Sequence, residues 1–226
     1  MQKWQAVIFD LDDTLYPERD YVISGFRAVA VWVEQQSGIP KILIEKELKY
    51  LFSKGIRGKI FNLWLQQRGL PLDWVPKLVQ VYRGHRPNLK LFPDAKQILY
   101  RLKERYLIGL VSDGYLEVQK EKFKALNLSP FFDAVLFTDE LGQKYWKPSP
   151  RPFKEILHRL KVIQPEKAIY IGDNPKKDFL GARQVGLITV RILRPEGEYN
   201  HLTPPTFQHA PHYTIHSLVE LEALLS

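Results

Sequence analysis

The sequence predicts an α/β fold, a doubly wound parallel sheet interrupted by an all-helical insert. Three observations carry that prediction. Six short apolar runs recur along the chain, and helical patterns separate the first five of them. Turn-forming or acidic residues follow the first, second and fourth runs, where an α/β sheet presents its ligand sites. One long stretch, residues 15–88, breaks the alternation with helical periodicity and no strand pattern.

The elements follow in order. Ala6-Val7-Ile8-Phe9 is short, β-rich and followed by acids, the pattern of a buried strand. The insert reads as four amphipathic helices at residues 23–36, 42–54, 59–67 and 74–83. Gly38-Ile39-Pro40 and Gly69-Leu70-Pro71 punctuate them. The chain re-enters the core near residues 88–93. Further strands are predicted at 107–111, 134–137, 168–171, 187–190 and 213–215. Helices are predicted at 95–104, 117–126, 152–160, 179–185 and 217–225. On this division the core spans 1–14 and 89–226, the insert 15–88, and hinges fall near 15–19 and 88–92.

Composition narrows the function classes. Of 226 residues, 45% are apolar and 12% aromatic, enough for a sizeable core in one domain carrying a smaller one. No apolar run approaches the roughly 18 residues of a membrane span. Residues 1–5 lead straight into the first strand pattern without a signal-peptide profile, so a cytoplasmic protein is expected. The absence of cysteine excludes disulfides, zinc–thiolate sites and cysteine nucleophiles. The formal charge of +8 is concentrated in residues 15–88, with 12 Lys/Arg against 6 Asp/Glu. A polyanionic partner, an anionic small substrate and a solvated basic face all fit that balance. No run of five basic residues occurs, so no nucleic-acid partner is expected. His201, His209, His212 and His216 match no zinc spacing and read as loop residues. Trp4, Trp32, Trp64, Trp74 and Trp146 read as packing residues.

Four strand-end segments carry candidate chemistry. Asp10-Leu11-Asp12-Asp13-Thr14 follows the first strand, and in a tight turn Asp10 and Asp12 can point toward one site; a capped turn is the alternative. Ser112-Asp113-Gly114 offers a hydroxyl and a loop whose N–H groups can face an anion, or an ordinary strand-to-helix turn. Lys147-Pro148 places a lysine at a helix entry. Gly172-Asp173-Asn174-Pro175-Lys176-Lys177-Asp178 adds two carboxylates at another strand end. Together they are more specific than singly. Oxygen-only ligands suit a hard cation such as Mg²⁺, a lysine and a hydroxyl would hold a phosphoryl group, and a carboxylate could serve as nucleophile.

In order and spacing these segments resemble the four motifs of the haloacid dehalogenase-like (HAD) hydrolase superfamily, with the insert where its C1-type helical cap belongs. The resemblance implies a Rossmann-like core with an all-helical cap domain, and a Mg²⁺-dependent phosphatase acting on a small phosphorylated metabolite. A phosphomutase or phosphotransferase on the same core, or a non-catalytic basic binding protein, are the alternatives. It implies roles for residues as well. Asp10 would be the nucleophile and a metal ligand, and Asp12 general acid then base, its carbonyl also on the metal. Thr14 would orient Asp12. Ser112, with the N–H groups of Asp113 and Gly114, would bind phosphoryl oxygens. Lys147 would neutralise charge, Asp173 would complete the metal ligands and Asp178 would support Lys147 or a metal-bound water. Asp12 favours phosphoester chemistry over dehalogenation, because an alkoxide needs a proton on leaving and a halide does not. From the insert, Arg57 in the loop Gly55-Ile56-Arg57-Gly58-Lys59 is the first choice for a polar substrate group. Glu18, Arg19 and Tyr21 are expected to line the entrance.

Overall fold

The computed structural model describes residues 3–226. Six strands among them form one sheet: β1 (Ala6–Phe9), β2 (Leu107–Ser112), β3 (Ala134–Phe137), β4 (Ala168–Gly172), β5 (Ile188–Ile192) and β6 (Tyr213–Ile215). Every pairing is parallel and the order is β3–β2–β1–β4–β5–β6. The chain winds outward from β1 to β3, then returns beside β1 and winds the other way. The topological switch point therefore lies between β1 and β4.

Four helices fill the insert: α1 (Glu18–Ser37), α2 (Lys41–Ser53), α3 (Ile60–Gln67) and α4 (Val75–Gly84). The core helices are α5 (Pro93–Lys103), α6 (Leu116–Ala125), α7 (Arg151–Arg159), α8 (Phe179–Gln184) and α9 (Leu221–Leu225). Ala6 and Ile8 of β1 share an apolar cluster with Phe153, Ile156 and Leu157 of α7. Val7 and Phe9, which alternate with them, are equally sealed, so both faces of the central strand are covered. That double burial is why these strands read as continuous apolar runs rather than alternating ones.

Three of the differences from the boundaries read in the sequence have a local reason. The first helix begins at Glu18 rather than residue 23, because the Asp13 carboxylate accepts the Glu18 N–H at 2.8 Å and Pro17 precedes it. The strand predicted at 187–190 continues to Ile192, because the Arg191 guanidinium finds carbonyl acceptors at Asp173, Tyr199 and Leu202. The helix predicted at 217–225 opens as a 3₁₀ turn, Leu218–Glu220, capped by the Ser217 hydroxyl and the Glu220 carboxylate.

The chain falls into two compact units that divide after Glu18 and before Leu89. The first division lies four residues beyond the 14/15 boundary read from the sequence. The two crossings are tied together on the sheet side, where the Phe92 N–H donates to the Leu15 carbonyl at 2.9 Å. The helical unit has its own core, built from positions such as Phe26, Val29, Ala30 and Val33 of α1 and Ile44, Leu48 and Leu51 of α2. Their three- and four-residue spacing is that of one helix face. Trp64 lies sealed within it and satisfies its indole N–H on Glu47 at 2.8 Å. Trp32 and Trp74 meet edge to face.

Candidate active site

The Asp10 N–H donates to the Ile171 carbonyl at 2.8 Å, extending the β1–β4 pairing by one bond. Asp10 thus stands at the carboxyl end of the sheet, at the switch point. Around it the sheet-bearing unit forms a pocket lined by Asp10, Asp12, Glu18, Asp113, Lys147, Asp173, Asn174, Lys177, Asp178 and Tyr199.

Lys147 organises the floor of this pocket. Its ammonium lies 2.7 Å from Asp10 Oδ1, 2.7 Å from Asp178 Oδ1 and 3.0 Å from the Tyr170 hydroxyl. The side chain is buried, and burial alone would discharge it; Asp10 and Asp178 outweigh that and hold it protonated. Its backbone is fixed too: the Lys147 N–H donates to Asp113 Oδ1 at 3.0 Å, and the Thr138 hydroxyl donates to the same oxygen. Asp178 has both oxygens occupied. Oδ1 also accepts from Tyr170, and Oδ2 accepts the Asn174 N–H at 2.8 Å. Gly172 makes room for this carboxylate, since a Cβ there would come within 2.5 Å of Asp178 Cγ.

Oxygens of Asp10, Asp173 and Asp178 all lie within 4.8 Å of one another. Asp173 Oδ2 is buried without a hydrogen-bond partner. Burial, then the charges of Asp178 and Asp10, drive the Asp173 carboxyl far above the usual range. Burial likewise pushes Asp10 up to about 8 against the pull of Lys147, and Glu18 up to about 7. A set of crowded carboxylates with an orphaned oxygen and only lysines as counter-charge fits a small divalent cation held by oxygen. Asp10 and Asp173 present the free ligand atoms. Asp178, its oxygens already engaged, sits at the edge of the set.

Asp12 is held from a different direction. Its Oδ1 accepts from the Tyr16 hydroxyl and from Lys122 Nζ at 2.7 Å, and its Oδ2 accepts from Gln119 Nε2 at 2.9 Å. Burial raises the carboxyl, but these partners outweigh it and keep it ionised. The expectation that Thr14 orients Asp12 is corrected here. The Thr14 hydroxyl is sealed in the interior with no hydrogen-bond partner, and its carbonyl is taken by Arg194 at 2.7 Å.

Of the second segment, Asp113 lines the pocket, whereas Ser112 and Gly114 do not. The Ser112 hydroxyl is fully buried and lies 2.6 Å from Gln119 Nε2. Gly114, at φ +133°, packs on the Gln119 side chain. In the helical unit, Arg57 is bound to its own loop: it donates to the Phe52 and Ile56 carbonyls and stacks on the Phe52 ring. Tyr21, expected at the entrance, is buried against Tyr82 and His85 of the same unit. Arg19 is exposed, and Glu18 lines the pocket.

A family model of haloacid dehalogenase-like hydrolases matches residues 4–186. The chain belongs to the haloacid dehalogenase-like hydrolase family. A glyceraldehyde 3-phosphate phosphatase from Methanopyrus kandleri is 34% identical over 224 residues, covering 93% of this chain and 92% of the relative. (S)-2-haloacid dehalogenase 4A from Burkholderia cepacia is 33% identical and covers 98% of this chain and 95% of its own. Among solved structures, a HAD phosphatase from Thermococcus onnurineus aligns with a TM-score of 0.64, 26% identity and 98% coverage of both chains. A HAD-superfamily hydrolase from Geobacter sulfurreducens aligns at 0.72 with 19% identity, covering 100% and 98%.

In this HAD-like hydrolase the sequence reading missed Tyr16, Gln119 and Lys122 around Asp12, and Asn174, Lys177 and Tyr199 in the pocket. Gln119 and Lys122 carried a weak signal, being polar residues three apart that the apolar face of α6 does not explain. Tyr199 carried none. It reaches the pocket because buried Arg191 binds the Tyr199 and Leu202 carbonyls, and a lone arginine in an apolar strand was the available clue. Trp4 and Trp146 do packing work, the first bonded to Leu224 O and the second to Asp139. No helix of the described residues is long and apolar enough to cross a membrane.

Proposed function

We propose that this HAD-like hydrolase is a Mg²⁺-dependent phosphomonoester phosphatase of a small phosphorylated metabolite, acting through a phospho-aspartate on Asp10. The observation that carries this reading is Asp12, a carboxylate facing the same pocket as the Lys147-bound Asp10. Dehalogenation leaves a proton donor there without a task; departure of an alkoxide gives it one. The phosphatase names of relatives such as the Methanopyrus kandleri protein support the same choice, and make glyceraldehyde 3-phosphate the first substrate to try. The pocket, about 80 Å³, has the scale of a phosphoryl group and its cation rather than of a whole metabolite.

Asp10 and Asp173, with the Asp12 carbonyl, would hold Mg²⁺, which when bound supplies positive charge against the crowded acids and the phosphoryl oxygens. Asp10 attacks phosphorus in line with the ester oxygen. Lys147, fixed by Asp178 and Tyr170, opposes the negative charge that spreads over the transferring group. Of the second segment, Asp113 lines the pocket and would offer its N–H to a phosphoryl oxygen, with Ser112 and Gly114 behind it. Asp12, ionised in the resting pocket, takes the proton of a monoanionic phosphoester as it binds and gives it to the leaving alkoxide, then takes one from the water that hydrolyses the phospho-aspartate. In this reading the helical unit is the family's cap, and Arg57 is its first candidate for a polar group of the substrate.

The test is a panel of phosphomonoesters, with glyceraldehyde 3-phosphate and phosphoserine included, assayed with Mg²⁺ and with chelator. Inorganic phosphate released only with the cation, and no phospho-enzyme in Asp10→Asn by rapid quench, are expected. Phosphate passed to an added alcohol without free phosphate would indicate a phosphotransferase. Halide release from 2-haloacids without phosphatase activity would overturn the proposal, as would a burst of phosphorylation in Asp10→Asn.

A further inference from the structure

One helix face meets the Asp12 carboxylate with two side chains that do not line the pocket. Lys122 and Gln119, one turn apart on α6, are both buried, at 4% and 1% exposure. Asp12 itself faces the pocket. Three donors take up its carboxylate: Tyr16 and Lys122 on Oδ1, Gln119 on Oδ2. Gln119 Nε2 also lies 2.6 Å from the Ser112 hydroxyl and 2.8 Å from the Asp113 carbonyl.

Burying an ammonium is costly unless it is paired, and removing one partner strands the other. A pair placed only for packing would sit equally well away from the pocket. Here the carboxylate end is wet and the lysine end is sealed, so the pair fixes a reactive group from behind. A short acidic side chain has two soft torsions, and donors on both oxygens leave it one arrangement. Such preorganisation matters because a misplacement of about 1 Å can cost on the order of 10²-fold in rate.

We propose that Lys122 and Gln119 are positioning residues that set the aim of Asp12, Gln119 also tying that aim to the segment of Ser112 and Asp113. This deepens the phosphatase reading and rests on it. The pair acts on proton transfer through Asp12, not on the phosphoryl group.

The experiment compares kcat/KM on an aryl ester, p-nitrophenyl phosphate, and an alkyl ester, β-glycerol phosphate, in Mg²⁺. The ratio of the two reports how far leaving-group departure depends on a placed acid, because kcat/KM covers steps through loss of the alcohol. Lys122→Met and Gln119→Leu are expected to lose at least about tenfold more on the alkyl ester than on the aryl ester, as Asp12→Asn does. Lys122→Met combined with Asp12→Asn should be no more selective than Asp12→Asn alone, since residues acting through one group are not additive. Lys122→Arg should restore part of the ratio. Where Lys122→Met fails to fold, Gln119→Leu and Lys122→Arg give the same comparison. Equal losses on both esters, or a double variant whose losses add, would overturn the positioning role. Wild-type enzyme that hydrolyses neither ester would overturn the phosphatase reading, and this proposal with it.

Discussion

Lys147 shows how one residue serves stability and chemistry together. Three oxygens surround its ammonium at 2.7–3.0 Å, and two of them belong to buried carboxylates. Lys147→Met leaves Asp10 and Asp178 facing each other without counter-charge. Removing one partner of a buried ion pair costs about 3–5 kcal/mol, and this arrangement belongs at the upper end because two acids are stranded. Urea denaturation without divalent cation should show that loss, and turnover should be abolished. Arginine should not rescue activity, because its planar fork cannot place one point charge among three converging acceptors. An active Lys147→Met enzyme would disprove the assignment.

At the scale of elements, Asp94 joins pieces of chain that the sequence separates widely. It stands in the first turn of α5 and accepts from Arg194 beyond β5 at 2.7 Å, from the Leu218 N–H at 2.8 Å and from the Ser217 hydroxyl at 3.1 Å. Arg194 in turn donates to the Thr14 carbonyl and lies over the Phe92 ring. Burial pushes the Asp94 carboxyl up, but Arg194, Leu218 and Ser217 outweigh it and hold it below its ordinary value of 3.8. A depressed folded value means this contribution is complete above the unfolded value and is lost as pH falls through the folded one. Asp94→Asn should therefore cost about 1.5–3 kcal/mol at pH 7, the range for hydrogen bonds to a charged group. The gap between variant and wild type should narrow below pH 3.8. Urea titrations at pH 7 and pH 3 measure both; a gap that stays constant would exclude Asp94 as the titrating partner.

For the whole molecule, charge is distributed in a way that net charge conceals. The chain carries +8, yet the pocket is lined by six acids and two lysines. The basic excess lies on residues 15–88, whereas the acids that line the pocket belong to the sheet-bearing unit. A phosphate dianion entering those walls alone meets repulsion, and binding must be ordered behind a cation. Mg²⁺ at a hundred times its dissociation constant should stabilise the folded state by about 2.7 kcal/mol. For a chain of this size that is a rise in Tm of about 5–10 °C. Inorganic phosphate should add to the rise only when Mg²⁺ is present, and Asp173→Asn should remove both effects. Differential scanning fluorimetry with and without chelator decides the matter, and a shift by phosphate alone would contradict it.

The sequence by itself determined the alternation of strands and helices, the helical insert and the strand-end positions of Asp10, Ser112 and Asp173. It could do so because burial on both sheet faces leaves apolar runs, and a parallel strand must be followed by a turn that carries polar groups. The reading by periodicity erred where a polar side chain bonded backbone beyond its own element: Asp13 began α1 early, and Arg191 prolonged β5 through carbonyls of a loop. Only the tertiary structure decided what holds Asp12. Thr14 was the near candidate in sequence, but Lys122 and Gln119, more than a hundred residues away, bind the carboxylate. Tertiary structure alone also left one Asp173 oxygen without a donor and brought Asp178 beside Lys147. Sequence spacing reports which face a residue takes along its own element. Which groups converge from separate elements depends on strand order and helix packing, and these are set by burial summed over the whole chain.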